Sequence, residues 1–318
     1  MSAVDGDRRG VRRTMGWTAR RIPDQAGRTA VVTGANSGLG YVTARELARR
    51  GARVVLGCRN RSRGERAMER LLAEVPEADA ELRRLDLADL AGVREFAAGL
   101  PDEPLHLLVN NAGLMAVPHS LTADGFEMQF GANHLGHFAL TGLLMDRLLG
   151  AGDARVVNVS SLMHVVANID LHDMGSERNY RRWTAYGRSK TANLLFTLEL
   201  ARRTRGRGMV VAAAHPGYSA TELQTKGPRM SGDRRGERLM RAANSLVGSA
   251  PELGAAATLY AATSEDVGPG AFVGPRILGL RGSPGPSWRA PWARDPEAAR
   301  RLWQASEELT GVRYGALD

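Results

Sequence analysis

Short, almost wholly apolar runs alternate along the chain with longer segments in which apolar residues recur every three or four positions. The runs are rich in leucine and β-branched residues and have the length of strands; they cover residues 28–33, 52–56, 82–85, 105–109, 154–159 and 209–213. The helical patterns between them cover residues 39–50, 63–74, 90–100, 130–149 and 186–203. Apolar strands that alternate with helices predict a parallel sheet covered on both faces, the doubly wound α/β fold. We predict one such domain over residues 26–274.

The two ends of the chain differ in composition from this central region. Six arginines lie in the first 21 residues, which predicts a flexible, basic N-terminal extension over residues 1–25. Residues 275–318 are rich in proline, glycine, arginine and tryptophan, so we expect a tail that packs on the domain and ends in a helix near residues 296–309. Trp288, Trp292 and Trp303 lie in this tail. They either anchor it to the core or form a substrate lid or a subunit contact.

The bulk composition narrows the class of protein. A chain of 318 residues, 43% of them hydrophobic, is long enough to bury a substantial core. The formal charge of +9 makes nucleic acid and anionic membranes worth considering, but the chain has no recognisable nucleic-acid module, so we predict no nucleic-acid partner. Cys58 is the only cysteine, which excludes an internal disulfide and a cysteine-based metal site and suits a reducing cytoplasm. No apolar run reaches the roughly 18 residues of a membrane-spanning helix, so no membrane span is predicted.

A glycine-rich stretch, TGANSGLG at residues 33–40, follows the first predicted strand and begins the first helix. Glycine permits backbone conformations closed to other residues and lets a phosphate approach backbone N–H groups at a helix N-terminus, where the helix dipole favours negative charge. The stretch predicts a Rossmann-type dinucleotide site, although its spacing differs from G-x-G-x-x-G and tight turns also use glycine for structural reasons. The residues expected to contact the cofactor here are Gly34, Asn36, Ser37, Gly38, Leu39 and Gly40.

The end of the second predicted strand indicates which dinucleotide is bound. NAD-binding sites usually offer a carboxylate here to the adenosine ribose, whereas this chain has Cys58 followed by Arg59. A guanidinium binds a 2′-phosphate through paired, charge-assisted hydrogen bonds, so we predict NADP(H) rather than NAD(H). Alternatively, Arg59 is simply one more arginine of an arginine-rich chain. After the third strand, Asp86 and Leu87 are expected beside the adenine, unless Asp86 instead caps the helix that begins near Leu90.

Four motifs in the correct order resemble those of the short-chain dehydrogenase/reductase family. They are TGxxxGxG at residues 33–40, NNAG at 110–113, YxxxK at 186–190 and PGxxxT at 216–221. The resemblance spans residues 27–221 and implies NAD(P)-dependent interconversion of a carbonyl and an alcohol. Further cofactor contacts implied by the matching positions are Asn111, Ala112, Gly113, Pro216, Gly217 and Thr221, together with Tyr186 and Lys190.

The YxxxK motif has a physical rationale of its own. Tyr186 and Lys190 lie four positions apart on a predicted helix, so their side chains share one face. An ordinary tyrosine has a pKa of about 10, and a nearby cation that stabilises the phenolate would lower that pKa toward neutrality. A compact ammonium suits this place better than a planar guanidinium, which explains why one of only two lysines stands here.

The resemblance also assigns the remaining catalytic roles. It implies that Tyr186 exchanges the proton, that Lys190 additionally holds the nicotinamide ribose, and that Ser161 hydrogen-bonds the substrate oxygen. It implies that the backbone carbonyl of Asn133 positions a water that links the lysine to solvent. The adjacent His134 and the nearby His137 are expected to be packed core residues, because no thiol or carboxylate ligand accompanies them.

The separation of Ser161 and Tyr186, 25 positions, is longer than is common in the family. This insertion, with CRN after the second strand and NHLGHF in the fourth helix, is similar to the retinol-dehydrogenase-like and protochlorophyllide-reductase-like branch. The branch implies an apolar aldehyde, ketone or alcohol as substrate, and relatives that pair through the tyrosine helix imply a homodimer or homotetramer. The direction of the reaction stays open.

Residues 219–250 occupy the position of the family's substrate loop. Its basic residues either meet an acidic substrate group or a membrane surface, or form a solvated helix face; they are Lys226, Arg229, Arg234, Arg235, Arg238 and Arg241. The prediction as a whole is an NADP(H)-dependent oxidoreductase. The alternative is a regulatory protein that binds the cofactor without turnover.

Overall fold

The structure is a computed structural model that describes residues 16–176, 178–217 and 251–317. Within these ranges, eight strands form one sheet. They are β1 (Thr29–Thr33), β2 (Arg53–Cys58), β3 (Ala80–Arg84), β4 (Leu107–Asn110), β5 (Arg155–Val159), β6 (Val210–Ala214), β7 (Phe272–Ile277) and β8 (Arg281–Pro286). Their order is β3-β2-β1-β4-β5-β6-β7-β8, and every neighbouring pair is parallel except the last.

The helices cover both faces of this sheet. They are α1 (Gly38–Arg49), α2 (Arg61–Glu74), α3 (Leu90–Gly99), α4 (Met128–Phe130), α5 (Gly136–Leu143), α6 (Met145–Gly150), α7 (Arg182–Arg203), α8 (Pro251–Thr263) and α9 (Pro296–Thr310). The segment predicted as one helix over residues 130–149 is divided into α4, a π-helical turn at Gly131–Leu135, α5 and α6. Within the described ranges no helix is both long and apolar enough to cross a membrane.

Alternate residues of each central strand enter opposite cores, which is the consequence of the two-residue strand period. On one face, Val32 and Leu56 pack with residues of α1, α2 and α8. On the other face, Val31 and Val55 pack with residues of α3, α5, α7 and α9. The predicted doubly wound α/β fold, a single Rossmann domain, is therefore confirmed.

The predicted boundary of the N-terminal extension is too late. Trp17 is 5% exposed and Ile22 is 2% exposed, and the Trp17 ring lies 5.3 Å from that of Tyr260 in α8. Residues 16–25 thus pack on the domain, because an indole ring and an isoleucine gain more from burial than from solvation. The expectation of flexibility for residues 1–15 lies outside the described residues.

The C-terminal region also departs from the prediction. The predicted domain boundary at residue 274 falls inside the sheet, since β7 continues to Ile277 and β8 adds an antiparallel edge strand. A strand with Pro284 and Pro286 is tolerated at an edge, where a missing backbone N–H breaks no ladder on its outer side. The predicted last helix is confirmed as α9, and its Trp303 is 1% exposed. The tail is therefore anchored by Trp303, whereas Trp288 is 60% exposed.

The strand order reverses direction between β1 and β4. In an open α/β sheet, ligands bind beyond the carboxyl ends of the strands at such a switch point. The segments that follow β1 to β6 carry the predicted site residues. The fold thus brings motifs from across the chain to one edge of the sheet.

Candidate active site

One large cavity of about 440 Å³ lies at this edge. Most of the residues predicted from the sequence line it: Gly34, Asn36, Ser37, Gly38, Leu39, Gly40, Arg59, Asp86, Leu87, Asn111, Ala112, Gly113, Ser161, Tyr186, Lys190, Pro216 and Gly217. Asn133 lies behind the wall, hydrogen-bonded to Leu114. Thr221 and the predicted substrate loop at residues 219–250 lie outside the described residues.

The glycine loop forms a narrow floor to the cavity. Gly34 and Gly38 have positive φ angles of 67° and 56°, a region that disfavours other residues. Gly40 is required for a different reason, since a Cβ there would overlap the Gly34 carbonyl oxygen and the Asn111 side-chain nitrogen. The same Asn111 nitrogen donates to the Thr33 carbonyl at 2.7 Å. The loop therefore presents backbone rather than side chains to the cavity at the start of α1, which fits a pyrophosphate.

Thr33 and His137 connect this loop to Asn133. The Thr33 hydroxyl oxygen accepts from the backbone N–H groups of Asn111 and Ala112, both at 2.9 Å, so its own hydrogen is available to His137 Nε2 at 2.9 Å. His137 Nδ1–H then donates to the Asn133 carbonyl at 3.0 Å. Burial lowers the pKa of His137 to about 4, which keeps this neutral tautomer. His134 is also buried and lies 2.9 Å from the Ser306 hydroxyl, so both histidines are core residues.

Asn133 lies in the π-helical turn, and both ends of its amide are used. Its oxygen accepts from the Leu114 N–H at 2.7 Å, and its nitrogen donates to the Leu114 carbonyl and to the Ser189 hydroxyl, both at 2.9 Å. A Cβ on Gly113 would lie 3.1 Å from the Asn133 oxygen and 3.6 Å from Lys190 Nζ. A side chain at Gly113 would therefore crowd the Asn133 amide and approach the Lys190 ammonium.

Ser161, Tyr186 and Lys190 meet on one wall. Ser161 follows β5 and its hydroxyl accepts from the Met163 N–H at 3.2 Å, while Ser160 instead donates to the Lys190 carbonyl at 2.9 Å. Lys190 Nζ donates to the Val159 carbonyl at 3.0 Å and lies 5.7 Å from the centre of the Tyr186 ring. A hydroxyl, a phenol and an ammonium in this arrangement can polarise a carbonyl and exchange a proton with it.

The expected lowering of the tyrosine pKa by Lys190 is wrong for this structure. Burial raises the pKa of Tyr186 to about 12, and a hydrogen bond with Ser161 only partly opposes it. Burial also lowers the pKa of Lys190 to about 8. Desolvation disfavours the charged form of each group, and it is the largest cause of both shifts. Tyr186 is therefore a neutral phenol at neutral pH, the form that donates a proton.

The adenosine end of the cavity is basic. Cys58 is buried, and burial raises the pKa of its thiol to about 12. The residue at the position where NAD-binding sites usually have a carboxylate is therefore uncharged. Arg59 is exposed beside it and, among the described residues, has no ion-pair partner. Arg63, one turn into α2, lines the cavity as well and was not anticipated. The backbone N–H of Arg63 donates to the side-chain oxygen of Asn60, the N-cap of α2, at 2.9 Å.

Asp86 is available for the adenine. Its carboxylate accepts from the Ala88 N–H at 3.1 Å, and it lines the cavity. The alternative role, capping α3, belongs instead to Asp89, whose side chain accepts from the Ala91 and Gly92 N–H groups. Since α3 begins at Leu90, Asp89 is its N-cap and Asp86 lies too early in the chain to cap it.

Apolar side chains line the other end of the cavity, and the sequence did not predict them as site residues. They are Leu114, Met115, Leu162, Met163, Trp183 and Leu280. Trp183 lies in the first turn of α7, three positions before Tyr186. Residues at this spacing share one face of a helix, so the sequence could have indicated Trp183 as a site residue. Leu280 comes from the β7–β8 turn, and no local pattern identifies it.

Comparison with known proteins places the chain in a family. The family model described as short chain dehydrogenase matches residues 28–231. The chain therefore belongs to the short chain dehydrogenase family. It is an NAD(P)-dependent oxidoreductase that interconverts alcohols and carbonyl compounds.

Individual relatives are similar over most of their length. The chain is 43% identical to human retinol dehydrogenase 12, covering 94% of this chain and 91% of the relative, and 43% identical to human retinol dehydrogenase 13, covering 90% and 85%. A crystal structure of an uncharacterised protein from Mycobacterium paratuberculosis is 44% identical, with a TM-score of 0.78 and coverage of 94% and 99%. The RhlG/NADP active-site complex of Pseudomonas aeruginosa is 26% identical, with a TM-score of 0.60 and coverage of 78% and 94%. The resemblance to retinol-dehydrogenase-like proteins is thus confirmed.

Proposed function

We propose that the protein uses NADP(H) to interconvert an apolar aldehyde or ketone with its alcohol, and that Tyr186 exchanges the proton. The observation that carries this proposal is the single cavity wall on which Ser161, Tyr186 and Lys190 meet, between a basic end and an apolar end. The relatives named for retinol, an apolar alcohol, support the substrate class. Ser161, Tyr186, Lys190 and Asn133 are proposed as the catalytic group.

The residues present fit a dinucleotide. The glycine loop leaves the space that side chains at Gly34 and Gly40 would fill, and Gly113 leaves space beside Lys190. The loop would hold the pyrophosphate, Asp86 would bind the adenine, and Lys190 would hold the nicotinamide ribose. The bound cofactor would supply or accept the hydride at the substrate carbon.

Side chains of the protein donate the proton to the substrate and then replace it. In the direction of reduction, Ser161 donates a hydrogen bond to the substrate oxygen and the neutral phenol of Tyr186 donates its proton as negative charge develops there. The Tyr186 phenolate left behind must be reprotonated. An ammonium whose pKa is about 8 transfers a proton favourably to a phenolate whose acid has a pKa of about 12, so Lys190 is suited to refill Tyr186. Asn133, held by Leu114 and His137, connects the lysine to solvent.

The lowered pKa of Lys190 predicts a pH dependence. The lysine is charged below pH 8 and neutral above it, and only the charged form holds the ribose and returns the proton. The kcat/KM for NADPH, which reports on the free enzyme, should therefore fall by about tenfold per pH unit on the alkaline side of this pKa. The Lys190→Arg variant should be slower but should not show this decline, because a guanidinium does not titrate in this range. An unchanged alkaline limb in that variant would assign the titration to another group.

Arg59 is proposed to bind the 2′-phosphate. Removing a charge-assisted, paired hydrogen bond should raise the Kd for NADPH roughly 10- to 100-fold in Arg59→Ala, with little change for NADH. The matched control is Arg61→Ala, since Arg61 is exposed two positions further along the chain, at the start of α2, and pairs with Glu65 at 2.9 Å. Fluorescence titration measures the Kd for each cofactor. Equal weakening of NADH and NADPH would show that Arg59 does not distinguish them.

The proposed function is tested by NADPH consumption across a graded panel of apolar aldehydes and ketones, with NADH in parallel and alcohols offered with the oxidised cofactors. We expect turnover that is faster with NADPH and that rises with apolar surface until the substrate no longer fits between Trp183 and Leu280. Tight NADPH binding without turnover in either direction would instead favour a regulatory protein.

A further inference from the structure

Two buried histidines that the proposed mechanism does not use contact one stretch of the C-terminal region. This stretch, residues 287–292, follows β8 and is named here the C-terminal strap. His164 lies in the turn after Ser161, and His215 directly follows β6 and precedes Pro216. Both side chains are 0% exposed. Each joins the strap to a different part of the active site.

His164 joins the strap to the serine turn. Its Nε2 lies 3.1 Å from the Ala290 N–H, which can only donate, so Nε2 is the acceptor and Nδ1 carries the hydrogen. Nδ1–H then donates to the Ser161 carbonyl at 2.7 Å. The His164 carbonyl in turn accepts from Trp292 Nε1–H at 3.1 Å. The His164 ring therefore links the Ser161 backbone to the strap, and the His164 carbonyl makes a second contact with the strap.

His215 joins the same strap to Pro216–Gly217, the segment after β6 that lines the cavity and is named here the cofactor loop. Its Nδ1 accepts from the Gly217 N–H at 3.2 Å, which places the hydrogen on Nε2. Nε2–H donates to the Ser287 hydroxyl at 2.7 Å. Gly217 has a φ of 69° and lines the cavity beside Pro216. A Cβ on Gly274 would overlap the His215 ring, so the ring is also enclosed from the side of β7.

The two rings share a neighbour and a protonation state. Phe272 lies between them, with ring centres 5.5 Å from His164 and 5.1 Å from His215. Burial lowers the pKa of His215 to about 3 and, together with the positive charge of Arg289, lowers the pKa of His164. Protonation of either ring would set an N–H against a backbone N–H. Both histidines are therefore neutral, with opposite tautomers fixed by their partners.

We propose that His164 and His215 are positioning residues that hold the catalytic serine turn and the cofactor loop against one common support, the C-terminal strap. The inference rests on the proposed function, since it takes Ser161 as the group that contacts the substrate oxygen and Pro216–Gly217 as cofactor contacts. It gives the tryptophan-rich tail a task in the reaction: the strap sets the distance between substrate oxygen and cofactor. A shift of about 1 Å between reacting groups is enough to slow a reaction by as much as 100-fold.

The two histidines should differ in the kinetic parameter that they control. In His164→Gln the side-chain amide reaches the position of Nε2 and can still accept from the Ala290 N–H. The hydrogen bond that Nδ1–H donates to the Ser161 carbonyl is lost. We expect kcat for aldehyde reduction to fall about tenfold or more, with the Kd for NADPH unchanged within about twofold. In His164→Asn the amide takes the position of Nδ1 and keeps the donor to Ser161, so kcat should be intermediate.

At His215 the opposite division is expected. His215→Gln loses the acceptor for the Gly217 N–H and should raise the Kd for NADPH about tenfold, while kcat at saturating cofactor changes little. His215→Asn keeps that acceptor and should give an intermediate Kd. If a histidine variant does not fold, Trp292→Phe and Ser287→Ala remove one hydrogen bond each and should show the same division at a few-fold level.

The experiment measures kcat, the Kd for NADPH and Tm for the wild type and these variants of the full chain. Opposite divisions, with kcat altered at His164 and Kd altered at His215, would support the inference. Parallel changes that follow Tm, or no change in kcat and Kd, would overturn it. Absence of wild-type turnover would instead remove the proposed function and the His164 part with it, whereas the His215 part would still be decided by Kd.

Discussion

Tyr186→Phe lowers kcat by about 10²- to 10⁴-fold, the contribution typical of a general acid, while the Kd for NADPH stays near the wild-type value. The reason is the neutral phenol beside Ser161: its pKa is raised to about 12 by burial, so the hydroxyl hydrogen is present throughout the neutral range and phenylalanine removes only that hydrogen and its oxygen. Single-turnover reduction with saturating NADPH measures the chemical step, and fluorescence titration measures cofactor binding.

Tyr260→Phe is the matched control for this variant. Tyr260 is fully buried in α8, and its hydroxyl has no hydrogen-bond partner among the described residues, so loss of the oxygen should leave kcat unchanged. Retention of most activity in Tyr186→Phe would exclude this tyrosine as the acid. Loss of activity in both variants would indicate damage to folding rather than to chemistry.

Gly40→Ala is expected to have the second largest effect. The added Cβ would overlap the backbone oxygen of Gly34 and the Asn111 side chain, which itself holds the Thr33 carbonyl. Backbone cannot move aside as a flexible side chain can, so the loop must open. We expect a loss of about 1–3 kcal/mol in the free energy of unfolding and, because the pyrophosphate loop is displaced, a Kd for NADPH raised by roughly 100-fold or more.

Gly150→Ala provides the comparison for that substitution. Gly150 ends α6, and a Cβ there meets no atom within 4 Å. Alanine is favoured over glycine in a helix, so this variant should be as stable as the wild type or slightly more stable. Chemical denaturation and NADPH titration of both variants measure the two effects. Unimpaired NADPH binding by Gly40→Ala would contradict the assignment of this loop to the cofactor.

The sequence predicted β1, β2, β4, β5 and β6 because each is a mostly apolar run that is buried on both faces. β3, AELRR, is only partly buried, and the prediction at residues 82–85 overlaps only its second half. It could not predict β8, RGSPGP, in which nothing is typical of a strand and the pairing depends on β7. It also missed α8, PELGAAATLYAAT, whose residues are apolar on nearly all sides because the helix is mostly buried. Periodicity identifies surface helices and gives no signal for such a buried one.

Within the site, motifs predicted the residues that follow the strands, because each motif is a short continuous stretch of sequence. Contacts between distant segments were beyond this reasoning, among them Leu280 on the cavity wall and the link from His164 to Ala290. The error in the Tyr186 pKa has the same origin. Spacing predicts that a lysine lies near a tyrosine, but the extent of burial, which determines both pKa values, depends on the whole fold.

The central claim is hydride transfer to a carbonyl carbon with the proton supplied by Tyr186. Its most direct test is incubation of the protein with an apolar aldehyde and NADPH that carries deuterium at both hydrogens of the nicotinamide C4, followed by mass spectrometry of the alcohol. We predict that the alcohol carries one deuterium on the carbinol carbon, and that Tyr186→Phe forms this labelled alcohol at least about 100-fold more slowly than the wild type. Alcohol without deuterium, or equal amounts of labelled alcohol from both proteins, would contradict the account.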